Sequence, residues 1–159
     1  MRTSNAVTTA VEQWETAEQV ARALMRLSWL AHKQFAQHLS QHGLTVPQYF
    51  TLLALLRSDR RCAMRQLAEA TRLDAATMTG IVDRLERLGL VERHRNPLDR
   101  RVVFVRPTEQ ARTLLREVRL ERQRAVARMF DAFGDEEMRQ LLSMLERLLA
   151  ALEAVSGEQ

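Results

Sequence analysis

The stretch RHRNPLDRRVVFVRPT, Arg93 to Thr108, sets Arg93, Arg95, Arg100, Arg101 and Arg106 around an Asn96-Pro97 turn and a short apolar segment. A guanidinium does not exchange protons at neutral pH. It offers a rigid planar fork of N–H donors that matches phosphate. The chemistry on offer is therefore anion gripping. An arginine run is more often a solvated loop. Here, however, the arginines flank turn formers instead of lying along a helix face, and arginine suits the narrow, negative minor groove of a duplex. Arg101 is the leading candidate probe, with Arg100 beside it and Arg95 and Arg106 nearer phosphates.

A second constellation lies upstream. Ala75, Ala76, Thr77, Thr79 and Gly80 make one face of a segment small and polar, while Leu73, Met78, Ile81, Val82, Leu85 and Leu88 make the other apolar. Small residues let a backbone approach a groove wall. Thr77 and Thr79 bring hydroxyls for bases or phosphates, and methyls for thymine methyls. Arg72 and Arg84 would reach phosphate or guanine. The duller alternative is a core helix with a solvated outer face.

Other reactive residues point nowhere as sharply. His38 and His42 are four apart and share a helix face. They also fall in the last turn before Gly43, where histidine suits the negative helix end, so no metal is expected. Cys62 cannot form an internal disulfide and sits at an apolar, strand-like position, which suits a small buried filler. Its neighbours Arg60 and Arg61 would favour a thiolate, which keeps redox sensing as the lesser reading. No Gly-rich phosphate loop, nucleophile elbow or metal-hydrolase spacing occurs, so no enzyme chemistry is expected.

These residues need a scaffold, and its punctuation is sparse: 5 glycines and 3 prolines. Helical spacing runs from about Gln13 to Gln41 through Val20, Leu24, Leu27 and Phe35, with Gly43 as its C-terminal cap. Thr45 and Gln48 form a capping box for the next helix, which tolerates Pro47 in its first turn. Tyr49, Leu52, Leu53 and Leu56 are its expected buried stripe. A short helix over Met64–Ala70, a turn at Thr71–Leu73 and a helix from Asp74 to Leu88 make a helix-turn-helix. Strands at Leu90–His94 and Arg101–Val105 then flank a hairpin tip. Thr108 caps a helix to about Phe133, and Gly134 separates it from a last helix striped by Leu141, Leu145, Leu148 and Leu152. The expected order is α-α-α-α-β-β-α-α. The flanking helices are too long to bury their stripes on so small a domain, which points to pairing of two chains.

Composition agrees with this scheme. The chain is 46% hydrophobic and 28% charged, with net charge +4 and pI about 10.4. That is a globular mixture with a modest cationic excess. No apolar run approaches the roughly 20 residues of a membrane helix, and no secretory leader is visible, so a reducing cytoplasm is expected.

Three segments, LTVPQYFTLLAL, RQLAEATRLDAATMTGIVDRLERLGLVER and NPLDRRVVFVRPT, resemble the multiple antibiotic resistance regulator (MarR) family of bacterial transcription factors. The resemblance covers roughly Val20 to Leu152, and Asp99 and Arg101 followed by Thr108 are its most specific part. It implies a mainly α fold with a small β-hairpin wing: a winged helix-turn-helix over 45–107, with helical dimerisation regions at 1–44 and 108–159. It implies a homodimer on double-stranded DNA, with recognition helices in major grooves and wings in flanking minor grooves. Asp99 would hold an arginine in place through a bidentate pair. No cofactor is implied beyond a small phenolic or lipophilic effector, for which Trp29, His32, Phe35 and Tyr49 are candidate wall residues. The setting would be the bacterial cytoplasm, on the nucleoid. Pro107 and Ala63 depart from the family pattern. Pro107 is expected to shorten the strand pairing, and Ala63 to weaken a helix cap. Two rival readings stay open: a sequence-nonspecific architectural DNA binder, and a winged helix used for protein interaction.

Overall fold

The computed structural model describes residues 2–58, 62–95, 99 and 102–157, with side chains described from Trp14 onward. The elements are α1 (Arg2–Gln41), α2 (Val46–Arg57), β1 (Cys62–Ala63), α3 (Met64–Thr71), α4 (Ala75–Arg87), β2 (Val91–Arg95), β3 (Val103–Pro107), α5 (Glu109–Phe130) and α6 (Asp135–Ser156). The chain divides into two compact units, Met1–Arg116 and Glu117–Gln159.

Local chemistry accounts for most element ends. Gly43 takes φ +69°, a left-handed geometry that glycine adopts without strain, and stops α1. The backbone N–H of Thr45 donates to Gln48 Oε1 at 2.8 Å, and Thr45 Oγ1 accepts from the Gln48 N–H, so the expected capping box forms. Ala63 has no side-chain acceptor for its helix. Gln66 Oε1 nevertheless accepts the Ala63 N–H at 3.1 Å, which supplies half of a cap. Arg72 ends α3 at φ 55°, and Leu73 N–H reaches back to Ala68 O. Arg72 is the one non-glycine at positive φ among the described residues, a conformation that β-carbons disfavour.

The first unit has a continuous buried core. Leu39, Leu44, Leu52, Leu55, Leu67, Met78, Val82, Leu85, Val91 and Val105 are all at most 2% exposed. Each side chain of this kind is worth about 1.5–3 kcal/mol when buried. In the second unit, α6 begins at Gly134, whose N–H donates to Glu137 Oε2 at 2.8 Å, and Asp135, Glu136 and Glu137 complement the positive helix end.

Several expectations change. The wing belongs to a three-stranded antiparallel sheet, ordered β1-β3-β2, and not to a bare hairpin. The missed strand is only two residues long and pairs Cys62 with Val105 and Ala63 with Phe104. The second wing strand starts and ends two residues later than expected, at Val103 and Pro107. Pro107 does not shorten the pairing: it stands opposite Val91, and Thr108 N–H continues the ladder to Leu90 O at 3.0 Å. Because antiparallel hydrogen bonds alternate, the Pro107 nitrogen points away from β2 and no bond to that strand is lost. In α2 the fully buried positions are Leu52, Leu55 and Thr51, while Leu53 and Leu56 are only half-buried. Thr51 is accommodated because its hydroxyl donates to Pro47 O. Leu88, assigned to the core stripe, is 41% exposed. Helix α1 extends N-terminally to Arg2, and α5 stops at Phe130.

Candidate nucleic-acid interface

Helix α4 begins at a strong cap. Asp74 Oδ1 accepts from Thr77 N–H at 2.9 Å, and Thr77 Oγ1 donates to Asp74 Oδ2 at 2.6 Å. The Thr77 hydroxyl first, and its N–H second, hold the exposed Asp74 carboxyl below the usual carboxylate range. Met78, Val82 and Leu85 turn inward. Ala75, Ala76, Thr77, Thr79, Gly80, Asp83, Arg84 and Arg87 are exposed.

Two details sharpen this face. A β-carbon on Gly80 would meet nothing within 4 Å, so internal packing does not require glycine there. Glycine inside a helix costs roughly 0.5–1 kcal/mol relative to alanine, which leaves this position locally unfavourable and bare. Thr79 Oγ1 donates to Ala75 O at 2.8 Å, so both threonine hydroxyl protons on the face are committed within the chain. A phosphate offers only acceptors. The expected hydroxyl-to-phosphate contact would therefore require either threonine to break an existing bond.

The wing is fixed to this helix through one side chain that sequence reasoning left without a role. Arg93 of β2 is 25% exposed and lies against α4. It pairs with Asp83 Oδ1 at 2.5 Å and Glu86 Oε2 at 2.6 Å, and reaches Thr79 O at 3.5 Å. The signal available in the sequence was alternation: Arg93 falls on the same face of its strand as the buried Val91, and charge on an apolar face demands a partner. The opposite face carries another network. Arg106 stands across from Glu92 and donates through Nε and Nη2 to one Glu92 oxygen, at 3.0 and 2.8 Å. His94 Nε2 lies 3.3 Å from the same oxygen. Arg106 foremost, then His94, keep the Glu92 carboxyl below its ordinary range.

The anticipated probes thus have unequal settings. Arg72, Arg84 and Arg95 are exposed. Arg106 is engaged with Glu92. Arg100 and Arg101 lie outside the described residues, as does any grip of Asp99 on Arg101. The backbone of Asp99 is described: its carbonyl accepts the Val102 N–H at 3.0 Å. Thr108, expected as a cap, donates its hydroxyl to Gly89 O at 2.8 Å and accepts from Ala111 N–H at 3.3 Å. One residue thereby links the exit of α4 to the start of α5.

The four candidate effector residues separate. Phe35 and Tyr49 meet edge to face with centroids 5.3 Å apart, and Phe50, outside the favoured four, completes the cluster. Trp29 is 61% exposed, with the Lys33 ammonium 5.0 Å above its ring, and His32 is exposed. A cleft of about 380 Å³ opens in the first unit between Val46, Pro47, Phe50, Leu53 and Arg57 of α2 and the α3 end at Ala70, Thr71 and Leu73, and none of the four lines it. Cys62 is buried, and burial pushes its thiol pKa up, opposed weakly by a hydrogen bond with Ser58. This disfavours the thiolate that redox sensing needs.

A tri-helical core of α2, α3 and α4 with a three-stranded wing defines a winged helix-turn-helix protein. The comparisons specify it further. Residues 42–102 match the MarR family model. The chain is 32% identical over 120 residues to the organic hydroperoxide resistance transcriptional regulator of Bacillus subtilis, covering 76% of this chain and 80% of that one. It is 30% identical over 112 residues to the HTH-type transcriptional regulator MhqR of the same organism, covering 70% and 77%. The crystal structure of the B. subtilis YusO protein superposes with a TM-score of 0.77 at 25% identity, covering 86% of this chain and 96% of that one. The chain belongs to the MarR family of transcriptional regulators.

Proposed function

We propose that the protein is a homodimeric repressor that occupies a pseudo-palindromic operator, with α4 in the major groove and the arginine wing in the adjacent minor groove. The observation that carries this reading is the outer face of α4. It is small, polar and open at Ala75, Ala76, Thr77, Thr79 and Gly80, and stands beside a cationic ribbon. Arg72, Arg84 and Arg95 are exposed for phosphate or base contact, and Arg101 with Arg100 is assigned to the groove floor. Arg106 acts as a cross-strand strut more than as a phosphate ligand, because Glu92 already engages its Nε and Nη2.

Dimerisation rests on unburied apolar surface. In the first unit Trp14, Val20, Leu27 and Trp29 are exposed; in the second, Leu142, Leu149, Leu152 and Val155 are. Large apolar side chains left this exposed along long helices suit association surfaces. The regions 1–44 and 108–159 are the proposed dimerisation segments, and 45–107 the DNA-binding segment. The protein works by binding and not by catalysis, in the bacterial cytoplasm. No helix among the described residues is long and apolar enough to cross a membrane. A small phenolic or lipophilic effector would relieve repression, and the cleft beside Phe50 is a described space open to one.

The test is selection of duplexes from a random-sequence pool, followed by titration over a salt series. A recurring inverted repeat and an affinity that falls linearly with salt on logarithmic axes support the reading. Equal affinity for every duplex favours the architectural alternative. Absence of binding at low salt favours a protein partner.

A further inference from the structure

We propose that Arg93 is a positioning residue that sets the spacing between the wing and the recognition helix, and so helps determine which operators both can engage together. This rests on the DNA-binding reading above. Arg93 reaches three points along α4: Thr79 O, Asp83 and Glu86. Positions i, i+4 and i+7 form a single stripe on a helix, so the guanidinium lies lengthwise along α4 and resists both sliding and rotation of β2. A lysine, with one compact ammonium, cannot span two carboxylates in this way. Arg93 is mostly buried and spends its fork on the protein, which separates it from the exposed Arg84 and Arg95. The pair Asp83 and Glu86 would otherwise present two negative charges on the helix assigned to the groove. Their presence there makes sense as anchors for the wing.

Electrostatics and positioning make opposite predictions for one variant, which allows a clean test. Removing both anchors, Asp83→Ala with Glu86→Ala, adds two units of net positive charge. If the carboxylates merely repel DNA, this variant binds the selected duplex more tightly. If they anchor Arg93, it binds more weakly, by about tenfold, a size typical for coupled networks. The experiment measures affinity and hydroxyl-radical footprints on a duplex selected by the wild-type protein, with poly(dI-dC) as the non-specific reference. The expected result is weaker operator binding, lost protection in the flanking minor grooves, retained protection in the central major grooves and unchanged or tighter binding to poly(dI-dC). Arg93→Ala should match it, and Arg93→Lys should fall between. Tighter or unchanged operator binding with intact flanks overturns the proposal, as does an equal loss on both duplexes. Should Arg93→Ala not fold, the anchor variant, altered only at exposed positions, decides alone. A wild-type protein that binds no duplex would instead overturn the functional reading itself.

Discussion

The winged helix and α6 treat apolar surface in opposite ways. In the first, Leu52, Leu67, Met78, Val82, Leu85 and Val105 are fully buried and the polar surface is knitted by short pairs such as Arg93 with Glu86. In α6, no residue is fully buried, and Leu149 and Leu152 are each 58% exposed. One region is complete within a single chain. The other has the sequence of a core without the core. A recognition module must keep its shape before it meets a ligand, whereas an association surface must stay open until a second chain covers it.

The largest effect should come from breaking the open region. Leu149→Glu with Leu152→Glu should convert the proposed dimer to a species of 18.4 kDa in light scattering and abolish cooperative binding to an inverted repeat, while leaving the winged helix folded. Next, Leu85→Ala should destabilise the closed region by about 2–5 kcal/mol in urea unfolding, because it empties a fully packed site. Third, Arg101→Ala should weaken operator binding by about 1–3 kcal/mol without moving the melting temperature. Fourth, Asp74→Ala should lower the melting temperature at neutral pH but not in acid. The folded carboxyl titrates below its unfolded value, so its contribution is present above about pH 4 and is lost as pH falls through the lower folded value. The smallest effect is a gain: Gly80→Ala should stabilise the fold by about 0.5–1 kcal/mol. A concurrent loss of operator affinity would show that the bare backbone at that point serves recognition.

Legibility in the sequence followed distance along the chain. The Thr45–Gln48 box and the Asp74 cap were readable because donor and acceptor sit three residues apart. Helix periodicity exposed α4 and its two faces for the same reason. Strand β1 was not readable as a paired strand: it is two residues long, and its partner Val105 lies far downstream. Neither was the engagement of Arg106, which depends on a register that places it across from Glu92. Arg93 was counted among the loop's charges because its partners lie on another element. Periodicity and length already pointed to unburied stripes on α1 and α6; the fold added which residues carry the exposure, such as Leu27 and Leu152. Of the proposed probes, the family-like residues Arg100 and Arg101 were the easiest to single out by pattern, and both lie outside the described residues.

The commitment of both threonine protons on α4 bears on what vocabulary the helix can read. With Thr77 donating to Asp74 and Thr79 to Ala75, each hydroxyl presents only lone pairs outward. Lone pairs greet the exocyclic amines of adenine and cytosine and are blind to the acceptor edge of guanine. In the proposed complex, guanine is therefore left to the arginines of this surface, and the threonines are suited to adenine and cytosine.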